Sequence, residues 1–81
     1  MEHDEAILLR ILNLLRTKTH KTVCVLNADA LNTDTKTALS HIDWLLESGC
    51  INPRPNDEYP FEVYGGLTEK GISLLKYIAP R

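Results

Sequence analysis

The sequence predicts an α+β fold, mainly helical, with a three-helix core, a β-hairpin and a C-terminal helix. Three observations predict it. Residues Thr33 to Gly49 carry Ala38, Leu39, Ile42, Leu45 and Leu46 at the three- and four-residue spacing of one helical face. After Gly49 the pattern changes to short apolar runs around a segment with three prolines, NPRPNDEYP. The chain has 81 residues, enough for one domain over 1–81 with a small core and marginal stability.

Composition narrows the class. Apolar residues make up 43% of the chain, the level of a folded globular protein. No apolar run approaches the length of a membrane span, and the start MEHDEAILLR is acidic where a secretory leader is basic. The expected location is intracellular, in the cytoplasm. Net charge is −2, which counts against nucleic-acid binding. The charges are unevenly distributed, however. Arg16, Lys18, Lys21 and Lys36 oppose only Asp29 and Asp34 between Arg16 and His41, whereas Ile42 to Glu69 holds six acids against Arg54. Screening limits each charge to about 10 Å, so a local positive strip acts on its own surroundings.

Taken in order, the first element follows an acidic lead-in, Met1 to Glu5. Asp4 is the expected cap of a helix over Glu5 to Arg16, with Ile7, Leu8, Ile11, Leu12, Leu14 and Leu15 on a broad apolar face. Leu9 widens that face, which suggests burial against a second copy. Thr17 to Thr22, TKTHKT, has no apolar residue; Lys18 and Lys21 in this loop either meet backbone phosphates or are simply solvated. The β-branched run Val23 to Val25 fits a strand or a helix start. Val23 to Leu31 is expected to be mostly helical, with Leu26, Ala30 and Leu31 facing in and Asn32–Thr33 as the turn.

The next helix is capped by Thr33 or Asp34 and stopped by Gly49. Opposite Ile42 on this helix lie Thr33, Thr37, Ser40 and Trp44, flanked by Lys36 and His41. Such a short polar face suits a DNA groove, and an ordinary surface helix is the plainer reading. Trp44 is expected to pack on the neighbouring strand. Cys50–Ile51 and Phe61 to Leu67 are the expected hairpin strands. Thr68 caps the last helix, Gly71 suggests a close backbone contact, and Ile72, Leu74, Leu75 and Ile78 face inward up to Pro80.

Cys24 and Cys50 lack zinc spacing, and His3, His20 and His41 complete no metal pattern. They are expected as buried thiols; the alternative is a Cys24–Cys50 disulfide, rare in intracellular proteins. No nucleophile set, phosphate loop or carboxylate pair appears, so neither catalysis nor a cofactor is expected.

Two stretches resemble a known family. Leu39-Ser40-His41-Ile42-Asp43-Trp44-Leu45-Leu46-Glu47-Ser48-Gly49-Cys50-Ile51 is similar to a recognition helix running into L-x-x-L-x-x-x-G-L-I. Tyr64-Gly65-Gly66-Leu67-Thr68-Glu69-Lys70-Gly71 is similar to Y-x-L-T-x-K-G. Together, over about residues 21–78, they resemble the winged helix-turn-helix DNA-binding domain, in its small single-domain archaeal form related to MarR- and PadR-like regulators. The resemblance implies a homodimeric transcription regulator of double-stranded DNA. Residues of about 34–48 would enter the major groove, with Thr35, Lys36, Thr37, Ser40 and His41 facing it, and Arg54 would reach phosphate or the minor groove from a wing of about 52–60. The expected dimer contacts are the first and last helices. The acidic wing (Asp57, Glu58, Glu62) departs from the pattern and favours the alternative, a winged-helix module that binds protein.

Overall fold

The structure is a computed structural model that describes residues 3–80; Met1 and Glu2 of the acidic lead-in, and Arg81, lie outside the described residues. The elements run α1 (Glu5–Arg16), β1 (Val23–Val25), α2 (Ala28–Leu31), α3 (Thr35–Glu47), β2 (Glu62–Tyr64) and α4 (Glu69–Ile78). About half the chain is helical, and the two strands form one antiparallel sheet.

Local chemistry sets the helix ends. The Asp4 side chain accepts the Ala6 N–H to open α1, Asp34 accepts the Thr37 N–H to open α3, and Thr68 accepts the Gly71 N–H to open α4. Gly49, at φ +73°, lets the chain turn out of α3, a backbone region costly for a residue with a Cβ. The core is built mainly by α1, through Leu8, Ile11, Leu12 and Leu15, all fully buried. Leu26, Leu31, Ala38, Ile42, Leu45, Ile51 and Val63 close around them. Each such Leu, Ile or Val side chain contributes about 1.5–3 kcal/mol of apolar burial. Gly71 lies where α4 crosses the chain leaving α3. A Cβ there would sit 2.0 Å from the Cys50 carbonyl oxygen, so the close backbone contact expected from the sequence is present.

Several expectations are corrected. Val23–Val25 is a strand, not helix; it pairs Val23 with Tyr64, Cys24 with Val63 and Val25 with Glu62. Its β-branched residues gain a partner that lies far along the chain, which outweighs any local helical preference. The helix that follows is only Ala28–Leu31, and Ala30 is exposed rather than inward. The Cys50–Ile51 strand does not form a ladder with Phe61 to Leu67: one bridge, Ile51 to Leu67, joins them. Pro53, Pro55 and Pro60 remove the donors a longer ladder would need. Leu14 and Ile72, expected inward, are 40% and 45% exposed. Cys24 is a half-buried free thiol and Cys50 a buried one, so no disulfide joins them.

Candidate nucleic-acid interface

The exposed side of α3 is prepared by the turn before it. Asn32 adopts φ 54°, ψ 48°, and its N–H closes α2 on the Ala28 and Asp29 carbonyls. Asn tolerates this left-handed conformation better than most residues, so α3 can depart sharply from α2. Asp34 then caps α3 twice: Oδ1 accepts the Thr37 N–H at 2.7 Å and Oδ2 accepts the Thr37 hydroxyl at 3.0 Å. These hydrogen bonds, first the backbone one, hold the Asp34 carboxyl below its ordinary value.

Thr35, Lys36 and Ser40 are exposed on the first two turns. Lys36 is in no ion pair among the described residues. The Ser40 hydroxyl donates to the Thr37 carbonyl at 3.1 Å, and its oxygen also lies 3.3 Å from His41 Nδ1, so one lone pair is left to accept from a ligand. Thr37 is half-buried and its hydroxyl is committed to Asp34, so it acts in the cap and its polar end is not free for a groove.

His41 corrects the expectation that it faces outward. It is 4% exposed. Its Nδ1 lies 2.7 Å from the Thr37 carbonyl oxygen, and its Nε2 lies 2.9 Å from the Asp4 backbone nitrogen. A carbonyl only accepts and a backbone N–H only donates, so Nδ1 carries the proton and Nε2 accepts. The His3 ring stands edge-on to His41 at 4.9 Å and lies 5.1 Å from the Trp44 ring. Trp44 therefore packs beside the segment that precedes α1, where a neighbouring strand was expected.

Arg54 is likewise occupied. Its guanidinium donates to Asp43 Oδ1 at 2.6 Å, and its Nε donates to the Pro60 carbonyl at 3.0 Å. The pair ties the proline-rich loop onto α3 and neutralises the charge expected to reach phosphate. Arg54 is 20% exposed and Asp43 52%. The outward stripe of α3 at helical spacing is then Lys36, Ser40, Asp43 and Glu47: a cation near the N-terminus, carboxylates toward the C-terminus.

Lys18 and Lys21 are exposed, but their loop is placed at the other end of β2. Gly65 N–H donates to the Thr22 carbonyl and Gly66 N–H to the Leu15 carbonyl, each at 2.7 Å, just beyond Tyr64. The Arg54 contact is at Pro60, before Glu62. Lys36, Ser40 and Thr35 are thus brought together on α3, and Lys18 and Lys21 lie on the loop at the far end of β2.

Two groups escaped the sequence reading. Asp43 lies eleven positions from Arg54, with no local pattern linking them. The inward position of His41 did leave a signal: it is three residues from Ala38 and four from Leu45, both fully buried. Comparisons with protein-family models, with characterised proteins and with solved structures find no match for this chain. No helix among the described residues is long and apolar enough to cross a membrane.

Proposed function

We propose that the chain is a double-stranded DNA-binding regulator of the winged-helix kind, with α3 as the helix that enters the major groove. The observation that carries this reading is the exposed polar surface of Lys36 and Ser40 on a helix whose opposite side, Ala38, Ile42 and Leu45, is fully buried, with Thr35 exposed at the helix's first residue. The element order and the pairing of β1 with β2 support it too. Lys36 would meet a phosphate or a guanine edge, and Ser40 and Thr35 would hydrogen-bond base edges. A homodimer would set two such helices on half-sites about one helical turn apart.

The test is selection of bound duplexes from a random pool, followed by sequencing, at low and then moderate salt. A palindromic motif whose affinity falls with salt by a few released ions supports the reading. No retention even at low salt rejects it.

A second reading is favoured by the Asp43–Arg54 pair, which cancels the cation of the proline-rich loop. Asp57 and Glu58 add exposed negative charge to the same loop. On this reading the α3 side binds a protein with basic groups, and the salt series separates the two.

A further inference from the structure

An open, mostly apolar face and an adjoining groove lie on the outward side of α1. The face is formed by Ala6, Leu9, Arg10 and Leu14 together with Asn13 and Thr17. The groove opens between α1 and α4, where Leu67, Ile72, Leu75 and Ala79 line the apolar part and Asn13, Arg16 and Lys76 the polar part. Asn13 lines both, so the two are continuous. No carboxylate lines either one, although the chain has 11 acidic residues against 9 lysines and arginines. Glu5 and Glu69 stand on the first turns of α1 and α4, outside the lining, and Asp43, Glu47, Asp57 and Glu58 lie on α3 and the loop after it.

We propose that this α1–α4 surface is a docking site for an amphipathic helix of a partner protein, apolar on one face and bordered by Asp or Glu. Two packed helices with an open apolar groove between them present the seat into which the ridges of a third helix fit. Leu14 and Ile72, left 40% and 45% exposed, supply its apolar anchors. Arg10, Arg16 and Lys76, all exposed, set the sign of the charge that can border it. A second copy related by a two-fold axis is the poorer occupant of this face, because arginine and lysine would meet arginine and lysine with no carboxylate among the lining residues to compensate. A bilayer is also poorer, since it is met by a protruding apolar ridge rather than a groove. This site is separate from α3 and does not depend on DNA binding; it takes the α1–α4 face expected from the sequence for a homodimer, so a dimer on DNA would pair through another face.

The test uses the full chain and two fluorescent helical peptides with the same apolar residues at i, i+3, i+4 and i+7, one bordered by Glu and the other by Lys. The Glu peptide is expected to bind, to shift the amide signals of Leu14, Ile72 and Leu75, and to lose about tenfold or more in affinity to the Arg16→Glu, Lys76→Glu double variant. Both substituted residues are exposed, and far-UV circular dichroism checks that the variant stays folded. Ile72→Ala, which leaves the charges in place, is expected to weaken the same peptide. Equal binding of both peptides, no binding of either, or shifts confined to α3 overturns the proposal. So does a dimer by sedimentation that the double variant dissociates, which makes the face a self-contact. Binding to phosphatidylglycerol vesicles in preference to the Glu peptide overturns it in favour of a membrane surface.

Discussion

The backbone N–H of Asp4 donates to Nε2 of His41 at 2.9 Å, across 37 positions of sequence. The same Asp4 caps α1 through its side chain, so one residue joins the start of α1 to the middle of α3. With Nδ1 bonded to the Thr37 carbonyl, His41 spans two elements and has no nitrogen left for a ligand. His41→Ala therefore acts on stability. Losing this part-buried hydrogen bond costs about 0.5–1.5 kcal/mol, and each kcal/mol lowers Tm by roughly 4–8 °C in a domain of this size. DNA affinity, measured well below the lowered Tm, is expected to be unchanged. A loss of affinity in the folded variant would return His41 to the groove.

Asp43 and Arg54 give a prediction of opposite sign. An exposed ion pair contributes about 0.2–1 kcal/mol, so Asp43→Ala changes stability little. It also frees the Arg54 guanidinium beside α3 and removes a carboxylate from the outward stripe. Binding to duplex DNA at low salt is expected to strengthen, with about one more ion in the salt slope. Weaker or unchanged binding, measured by titration at several salt concentrations, would speak for the protein-binding reading.

Lys36→Ala is the complementary change. Lys36 is exposed and makes no ion pair among the described residues, so thermal melting should barely move. Affinity is expected to fall across sequences, and the salt slope by about one. Equal affinity of variant and parent removes Lys36 from the interface.

Asp34 gives a pH dependence. Its folded carboxyl titrates below the ordinary 3.8 because the charged form accepts the Thr37 N–H and hydroxyl. The unfolded chain thus binds the proton first as pH falls. The stabilisation is whole above the ordinary value and is lost as pH drops through the lowered folded one. Asp34→Asn keeps a capping oxygen but no charge, so its melting temperature should fall less steeply than the parent's on acidification below about pH 4. Parallel acid limbs would show that Asp34 is not the source.

Gly71→Ala tests the close passage of α4. In an open helix this change stabilises by about 0.5–1 kcal/mol. Here the added carbon meets the Cys50 carbonyl at 2.0 Å, so α4 must shift and the sign reverses. Overpacking of this kind costs about 1–3 kcal/mol or more. Urea unfolding measures it, and a variant as stable as the parent would mean that α4 relaxes freely.

What the sequence determined by itself is what neighbours in the chain decide. The bounds of α1 and α4, the caps at Asp4 and Thr68, a cap of α3 at Thr33 or Asp34, the stop at Gly49 and the tight contact at Gly71 all rest on groups within a turn or on a missing Cβ; the structure chose Asp34. Lys36 and Ser40 were legible as an outward face because a helix repeats its faces by fixed spacing, whereas Thr35 came from the resemblance alone. Tertiary structure alone decided the rest. Val23–Val25 became a strand because Glu62–Tyr64 came beside it. His41 went inside because the chain before α1 folded over it with a donor for Nε2, and Arg54 lost its free charge because Asp43 stood within reach. Each of these depends on a partner distant in sequence. Spacing along the chain tells which face of a helix a residue is on, and packing tells what covers that face.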